Sequence, residues 1–379
     1  MHLYIISGGI TSFSKSDLTS SSSKYELGLA KALSKYCRVT ILSASLPRGV
    51  FSCCENLILK GIKAREKGIM GYRRLNNLIS SIFEDGTKEQ RFVIFWGYNP
   101  FDLAVFLKAE RILKLKCIPF IYDHHGEAIK NLSFVKKTIV DHFYRTGLRL
   151  VRRFKAFILF QESAATEMKL SAPFLVSKPG VDSCDERLPL KTDSPSFNLV
   201  FAGTLSHLNG IDVLLEGFVL ANIPNAYLHI YGSGPLGGLV SQYCTKYDHI
   251  LFHGRVSDQA LQVAYANADL LVSLRIPDDY AMKFSFPSKL FEYMATGRPV
   301  LTTRIISDFS LDEYVYVVDD MSTNTISSCL KSIYADSNHA STKAENARAY
   351  VCKHYNYDTL SQDIIQFLKQ LNGQTSNET

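Results

Sequence analysis

The residues closest to a ligand seat lie between Phe284 and Val300, which read Phe-Ser-Phe-Pro-Ser-Lys-Leu-Phe-Glu-Tyr-Met-Ala-Thr-Gly-Arg-Pro-Val. Pro287 suits the first turn of a helix, because its missing N–H needs no partner there. The amides of Ser288, Lys289 and Leu290 would then stay free. With the helix dipole and the Lys289 charge they form an anion site. Ser288 and Glu292 are four apart and share one face, where a carboxylate can accept two hydrogen bonds from a vicinal diol such as ribose. Leu290 and Met294 fall on the neighbouring face and should pack inward, and Gly297 stops the helix. A surface helix with an ordinary glutamate would carry the same letters.

Glycine-bearing turns add to this segment. Phe201-Ala-Gly203-Thr204 and Tyr231-Gly232-Ser-Gly234-Pro235 each follow an apolar strand pattern, as do Gly8-Gly9 near the start. Glycine after a strand lets backbone approach a ligand closely, although such glycines also serve as plain turns. Asp123-His124-His125-Gly126-Glu127 follows another apolar run, which places it at the carboxyl edge of a sheet. A histidine beside a carboxylate can hold one tautomer and contact a sugar undergoing C–O cleavage. A solvated turn is the alternative. Manganese binding by the Asp-His-His triplet would need acidic residues on the first strand, and Met1–Ser7 has none.

The elements that must position these residues alternate along the whole chain. Strands are expected at His2–Ser7, Arg38–Ser43, Arg91–Gly97, Cys117–Asp123, Lys155–Phe160 and Phe174–Ser177. After a looser Pro, Ser, Asp and Lys stretch at 178–195 they resume at Asn198–Ala202, Tyr227–Tyr231, Ile250–His253, Leu270–Leu274, Pro299–Thr303 and Val315–Val318. They are dense in Ile, Val, Leu and Phe without strict alternation, as parallel strands covered on both faces should be. Helical stretches intervene, among them Lys24–Tyr36, Gly210–Leu220, Ser257–Ala266 and Ser288–Thr296, with Asp358–Leu371 last. The serine run 19–23 is expected to be a mobile loop. Two successive βαβ series imply an α/β protein of two doubly wound, Rossmann-like domains with a cleft between them. The expected limits are 1–180 for the first domain and 181–355 for the second. Residues 356–379 form a last helix and tail.

A chain of 379 residues with 46% hydrophobic and 21% charged residues suits two globular domains. No stretch approaches the ~20 apolar residues of a membrane-spanning helix, and the start lacks the pattern of a signal peptide. The eight cysteines contain no C-x-x-C pair, so reduced cytosolic thiols are expected. Residues 1–180 carry 28 Lys and Arg against 14 Asp and Glu, a balance of +14, within a chain whose net charge is +6. Two mixed clusters stand out: Lys60–Leu75, and Arg145, Arg149, Arg152, Arg153 and Lys155 with Leu148, Leu150 and Phe154. Such mixtures suit an anionic membrane surface, or are solvated helix faces. No recognised nucleic-acid motif accompanies the charge.

Five segments resemble, in order and spacing, glycosyltransferase family 4 of the GT-B fold. They are Phe201–Leu205 with Asn209–Glu216, Leu228–Pro235, Phe252–Val256, Tyr265–Asp269 and Pro287–Pro299. In the first half the resemblance is thinner, resting on Gly8-Gly9, Lys24…Leu33 and Asp123–Glu127. It implies a retaining, metal-independent enzyme without a cofactor. The enzyme would move a hexosyl or N-acetylhexosaminyl group from a nucleotide-sugar to a glycan or polyprenyl-linked acceptor, as in polysaccharide biosynthesis. The acceptor domain comes first, the donor domain second, and the last helix crosses back onto the first. Location would be cytoplasmic, peripheral on the inner face of a membrane. Donor-binding positions would be Gly9, Gly203, Thr204, Asn209, Gly232, Gly234, Arg255, Phe284, Ser285, Phe286, Ser288, Lys289, Leu290 and Glu292. His125, with Asp123 or Glu127 as orienter, would face the sugar.

Two departures bear on this. The family commonly carries a pair of glutamates with seven residues between them, and the first falls here on Phe284. The Arg and Lys that commonly hold the diphosphate fall on Thr204 and Asn209. A replacement charge is then required, and Lys289, Arg275 and Lys283 are the candidates. The alternative is a non-catalytic GT-B relative that binds a nucleotide-sugar or glycan.

Overall fold

The computed structural model describes residues 1–7, 10, 12–14, 18, 21–43, 45–46, 49–61, 90–97, 99–122, 133–182, 195–276, 282–305 and 309–373. The chain divides into two compact units. One comprises Met1–Asp182, Asp279–Phe286 and Tyr357–Thr379, and the other Ser183–Asp278 and Pro287–Asn356.

The first unit is built on strands β1 (His2–Ser7), β2 (Arg38–Ser43), β3 (Gly49–Cys54), β4 (Leu57–Gly61), β5 (Arg91–Trp96), β6 (Lys116–Ile121), β7 (Phe157–Leu159) and β8 (Phe174–Val176). They form one sheet in the order β3-β4-β2-β1-β5-β6-β7-β8. All pairs are parallel except β3 with β4, an antiparallel hairpin absent from the expected strands. Its sequence mixes Ser, Cys and Gly into the apolar run, which hides it from a periodicity search. Helices are α1 (Ser21–Leu33), α2 (Pro100–Leu113), α3 (Phe134–Val151) and α4 (Glu162–Met168). Helix α1 starts inside the serine run expected to be loop, since serine is readily accepted at a helix start. Leu27, Ala30 and Leu33 are fully buried on its inner stripe.

The second unit carries β9 (Phe197–Thr204), α5 (Ile211–Ala221), β10 (Ala226–Ser233), α6 (Gly237–Lys246), β11 (Ile250–Gly254), α7 (Asp258–Ala266), β12 (Leu270–Ser273), α8 (Ser288–Ala295), β13 (Val300–Thr303), β14 (Tyr316–Val318), α9 (Thr323–Ala335) and α10 (Ser337–His354). The sheet runs β11-β10-β9-β12-β13-β14, and every pair is parallel. The order turns around at β9, whose neighbours β10 and β12 leave in opposite directions. That switch point is where open α/β sheets leave a crevice beyond the strand carboxyl ends. A core of Leu199, Phe201, Leu214, Leu228, Ile230, Leu270 and Val272 lies beneath α5 and α9.

The last helix, α11 (Tyr357–Gly373), packs against α1 in the first unit. Its start is tied there by Tyr357, whose amide donates to the Val181 carbonyl at 3.0 Å. Lys35 pairs with Asp358 at 2.7 Å on the surface. The expectation of reduced thiols throughout fails at Cys352, which is disulfide-bonded, while among the described residues Cys37, Cys54, Cys117, Cys244 and Cys329 are free. Cysteines brought together only by the fold leave no trace in sequence spacing.

Candidate donor site

Each strand of the second sheet ends on the same edge, and there the short polar residues and cations gather. Strand β9 ends in Gly203-Thr204 and β10 in Gly232-Ser233, in register with each other. The two chains cross so closely that a Cβ on Gly232, whose φ is +128°, would lie 1.9 Å from the Gly203 carbonyl oxygen. A Cβ on Gly234 would meet the Leu205 carbonyl oxygen at 2.4 Å. These two glycines are therefore required by the fold, because they let the β10 turn lie against the end of β9. The turn is closed by Leu205 N–H to Ser233 O at 3.1 Å and Leu236 N–H to Leu205 O at 2.9 Å.

Beyond β9, Asn209 donates from its side chain to the Thr204 carbonyl at 2.8 Å, which closes the loop leading into α5. Asn209 thus holds backbone in place. His207, which sequence reasoning passed over, stands exposed in the same loop with Nδ1 2.6 Å from the Asp212 carboxylate. Arg255, just past β11, donates from Nε to Ser233 Oγ at 2.8 Å.

Helix α8 sits at the same edge, anchored by Tyr293, whose hydroxyl lies 3.2 Å from both the amide and the carbonyl of Ala202. Burial holds the Tyr293 and Tyr265 hydroxyls well above the usual tyrosine pKa, so both stay neutral donors. Leu290 and Met294 are fully buried, as the helical spacing requires. Pro287 is the N-cap rather than the first helical residue, and the Leu290 amide closes back onto its carbonyl at 3.0 Å. Of the three amides expected to be free, Leu290's is therefore spent, and its buried side chain has no access to a ligand. Ser288 and Lys289 remain at the helix start.

Lys289 and Glu292 were expected to serve different parts of a ligand, and they meet each other. Lys289 Nζ lies 2.9 Å from one Glu292 carboxylate oxygen and 3.0 Å from the other, and 3.2 Å from the Tyr265 hydroxyl. Both side chains are about a third exposed, at 32% and 40%. The other cation of the edge is placed differently. Arg275 follows β12, its amide donates to Thr303 Oγ1 at 3.1 Å, and its carbonyl accepts from the same hydroxyl at 2.8 Å. Its Nε is buried and has no hydrogen-bond partner among the described residues. A desolvated guanidinium nitrogen without an acceptor is costly and calls for a physical reason.

The segment before α8 belongs to the first unit. Phe284 is 1% exposed within that unit's core, beside Phe95, Phe106 and Phe154. Phe286 is buried with the Lys178 ammonium 5.5 Å from its ring centre, and the Ser285 carbonyl accepts from Gln161 at 3.4 Å. Phe284, Ser285 and Phe286 therefore act as an anchor in the first unit. Lys283 is taken by Glu167 at 2.6 Å, which removes it as a spare charge. Gly9, Asp123, His125 and Glu127 lie outside the described residues. No group of three metal-binding side chains occurs among the described residues.

A family profile described as "Glycosyl transferases group 1" matches residues 196–336, a stretch that lies in the second unit apart from Asp279–Phe286. No curated protein matches the chain. Solved structures match it almost end to end. A sucrose-phosphate synthase from Thermosynechococcus elongatus has a TM-score of 0.74 at 16% identity, covering 98% of this chain and 99% of its own. Anabaena HepE in complex with UDP-glucose has a TM-score of 0.65 at 15% identity, covering 98% of this chain and all of its own. A glycosyltransferase from Rickettsia africae has a TM-score of 0.70 at 13% identity, covering 97% and 98%. At such identities the likeness is one of fold: two parallel-sheet α/β units of the GT-B type.

Proposed function

We propose that the chain is a glycosyltransferase whose second unit seats a nucleotide-sugar at the β9–β10 edge. The observation that carries this reading is the unpartnered, buried Arg275 nitrogen on an edge that also offers the α8 start, Glu292 and the backbone of the Gly203 and Gly232 turns. The profile match over 196–336 supports it, as do structural neighbours solved in complex with UDP or UDP-glucose. Arg275 takes the place of the absent family Arg and Lys and binds the diphosphate, together with the Ser288 and Lys289 amides. Glu292 accepts from the ribose hydroxyls. Lys289 neutralises Glu292 until the donor arrives and then turns to the phosphate.

Transfer breaks the bond between the sugar and the diphosphate. Charge builds on the leaving diphosphate, and fixed donors aimed at that charge favour the transition state over the bound donor. In this reading the donors are Arg275, Lys289 and the α8 dipole, the reaction is retaining, and no metal is needed. His125 contacts the transferred sugar, with Asp123 or Glu127 fixing its tautomer. The acceptor is a glycan or lipid-linked glycan at a membrane. Titration calorimetry with UDP-, GDP- and ADP-glucose tests the reading: one of them binds the parent chain and loses at least about tenfold in Arg275→Ala. If no nucleotide-sugar binds the parent, the reading falls. A non-catalytic, glycan-binding GT-B protein is then favoured, as the self-paired Lys289 and Glu292 and the non-ionising Phe284 would suggest.

A further inference from the structure

The loop between β9 and α5 holds a histidine and a carboxylate that the donor seat leaves unused. His207 opens a single 3-10 turn, His207–Asn209, and Asp212 lies in the first turn of α5. The imidazole Nδ1 is 2.6 Å from the Asp212 carboxylate. A carboxylate only accepts, so Nδ1 carries the hydrogen and the other nitrogen, Nε2, is left for a ligand. No described residue is bonded to Nε2, and the side chain is 71% exposed. Asp212 is only 25% exposed, and its second oxygen is buried without a partner among the described residues. The helix start favours its negative charge, and His207 is the side chain that answers it.

Backbone contacts hold this turn at the strand ends. The Ile276 amide donates to the Leu208 carbonyl at 2.7 Å, which ties the turn to the residue after Arg275. Asn209 fastens the turn to the Thr204 carbonyl at 2.8 Å. Gly210, with φ of +60°, is wedged so tightly that a Cβ there would stand 3.2 Å from Leu274 Cβ and 2.5 Å from Met321 Cε. Two Cα steps and one backbone hydrogen bond separate His207 from Arg275, so their Cα atoms lie within roughly 13 Å. Both side chains are long enough to meet over one diphosphate. Such a group carries two negative charges, and Arg275 supplies one positive charge. Lys289 does not supply the second, because Glu292 cancels it whichever of the two faces the ligand. Arg255 stands further along the edge, on Ser233. Past β14, Asp319 is taken by Arg304, and Asp320 accepts from the Thr325 hydroxyl at 3.1 Å.

We propose that His207, held by Asp212, is the second cation on the donor's diphosphate, and that it takes a proton from solvent at Nε2 when the nucleotide-sugar binds. An imidazole between a carboxylate and a phosphate is drawn to its charged form by both neighbours. The inference rests on the donor seat put forward above and adds to it a coupling between donor binding and proton uptake. The complex holds the extra proton, so binding tightens as pH falls through the range where an imidazole titrates.

The test is titration calorimetry of the full chain with UDP-, GDP- and ADP-glucose at about pH 6 and pH 8, in buffers of different ionisation enthalpy. Both phosphates of such a donor stay ionised across that range, so any proton taken up belongs to the protein. The parent takes up part of a proton with the donor at the higher pH, and its affinity rises at least about fivefold at the lower. His207→Gln binds about tenfold more weakly at the lower pH and loses the pH dependence. His207→Arg restores the affinity and takes up no proton, which a merely structural histidine would not allow. Circular dichroism checks the fold of both variants. A parent that binds a donor without proton uptake overturns the role of His207 and leaves the donor seat standing. So does a glutamine variant with the parent's affinity and uptake. A parent that binds none of the three donors overturns the donor seat and His207 with it.

Discussion

At the scale of single residues, Arg275 and the Lys289–Glu292 pair separate two roles that the same edge must fill. Arg275 Nε has no partner among the described residues, so in the proposed reading its removal would subtract from ligand binding and leave side-chain hydrogen bonds intact. Charge-assisted contacts are worth roughly 1.5–3 kcal/mol each, so Arg275→Ala should lower kcat/KM with the bound nucleotide-sugar at least about thirtyfold. Steady-state kinetics checks this, and a variant as active as the parent removes Arg275 from the site. Glu292→Gln would remove the proposed ribose contact and also free Lys289, so donor affinity should fall about tenfold or more while the melting temperature stays within a few degrees. Calorimetry and a thermal melt on one sample decide it. Much of this was legible beforehand, since helix spacing placed Leu290 and Met294 inside and Glu292 outside. The pairing of Lys289 with Glu292 was not, because a sequence shows which charges can meet and not which partner wins. Nor was the role of Phe284 legible, as spacing aligned it with a carboxylate position whereas its apolar ring seeks a core.

At the scale of elements, the parallel strands other than β4 were readable to within a few residues at each end, because dense apolar runs leave little choice. Both β1 and β2 end where their apolar runs end. What escaped was the β3–β4 hairpin, whose Ser-Cys-Cys stretch lacks that density. The glycine turns were read as places for ligand approach, and the structure gives them a second reason in the crossing of β9 and β10. Gly232→Ala therefore costs stability whether or not a ligand binds. A Cβ 1.9 Å from a carbonyl oxygen has to move backbone, and φ of +128° strains any L side chain. The expected loss is about 2 kcal/mol or more, seen as a lower denaturant midpoint without ligand. An alanine variant with the parent's midpoint would show that β9 and β10 can separate freely.

At the scale of the whole molecule, buried charge makes stability depend on pH in a definite direction. Glu26 is 5% exposed on α1, one of its carboxylate oxygens has no partner, and burial pushes its pKa up to about 7. An unfolded glutamate titrates near its ordinary 4.5, so between these values the folded chain holds a proton that the unfolded chain has lost. Stability from this residue is therefore full below pH 4.5 and falls as pH rises toward 7, by up to about 3 kcal/mol at 1.4 kcal/mol per unit. Glu110 is pushed to about 7 by the same cause and adds in the same sense. Glu26→Gln should flatten the decline in melting temperature between pH 5 and 8 relative to the parent. If both chains decline alike, Glu26 ionises in the fold at no cost.

The path of the chain adds a practical consequence. Asp279–Phe286 belongs to the first unit although the residues on both sides of it belong to the second. Anyone who expresses the second unit as an uninterrupted fragment therefore ships with it a peptide evolved for a different interior. Phe284 and Phe286, both buried in the intact chain, would be left in water there. Such a fragment is expected to be sticky, and replacing those two side chains with serine would be the first repair. The same interlacing makes the pair a poor subject for shuffling. An exchanged second unit brings its own plug, and a parental first unit accepts it only if the foreign side chains fit the pocket that Phe284 fills.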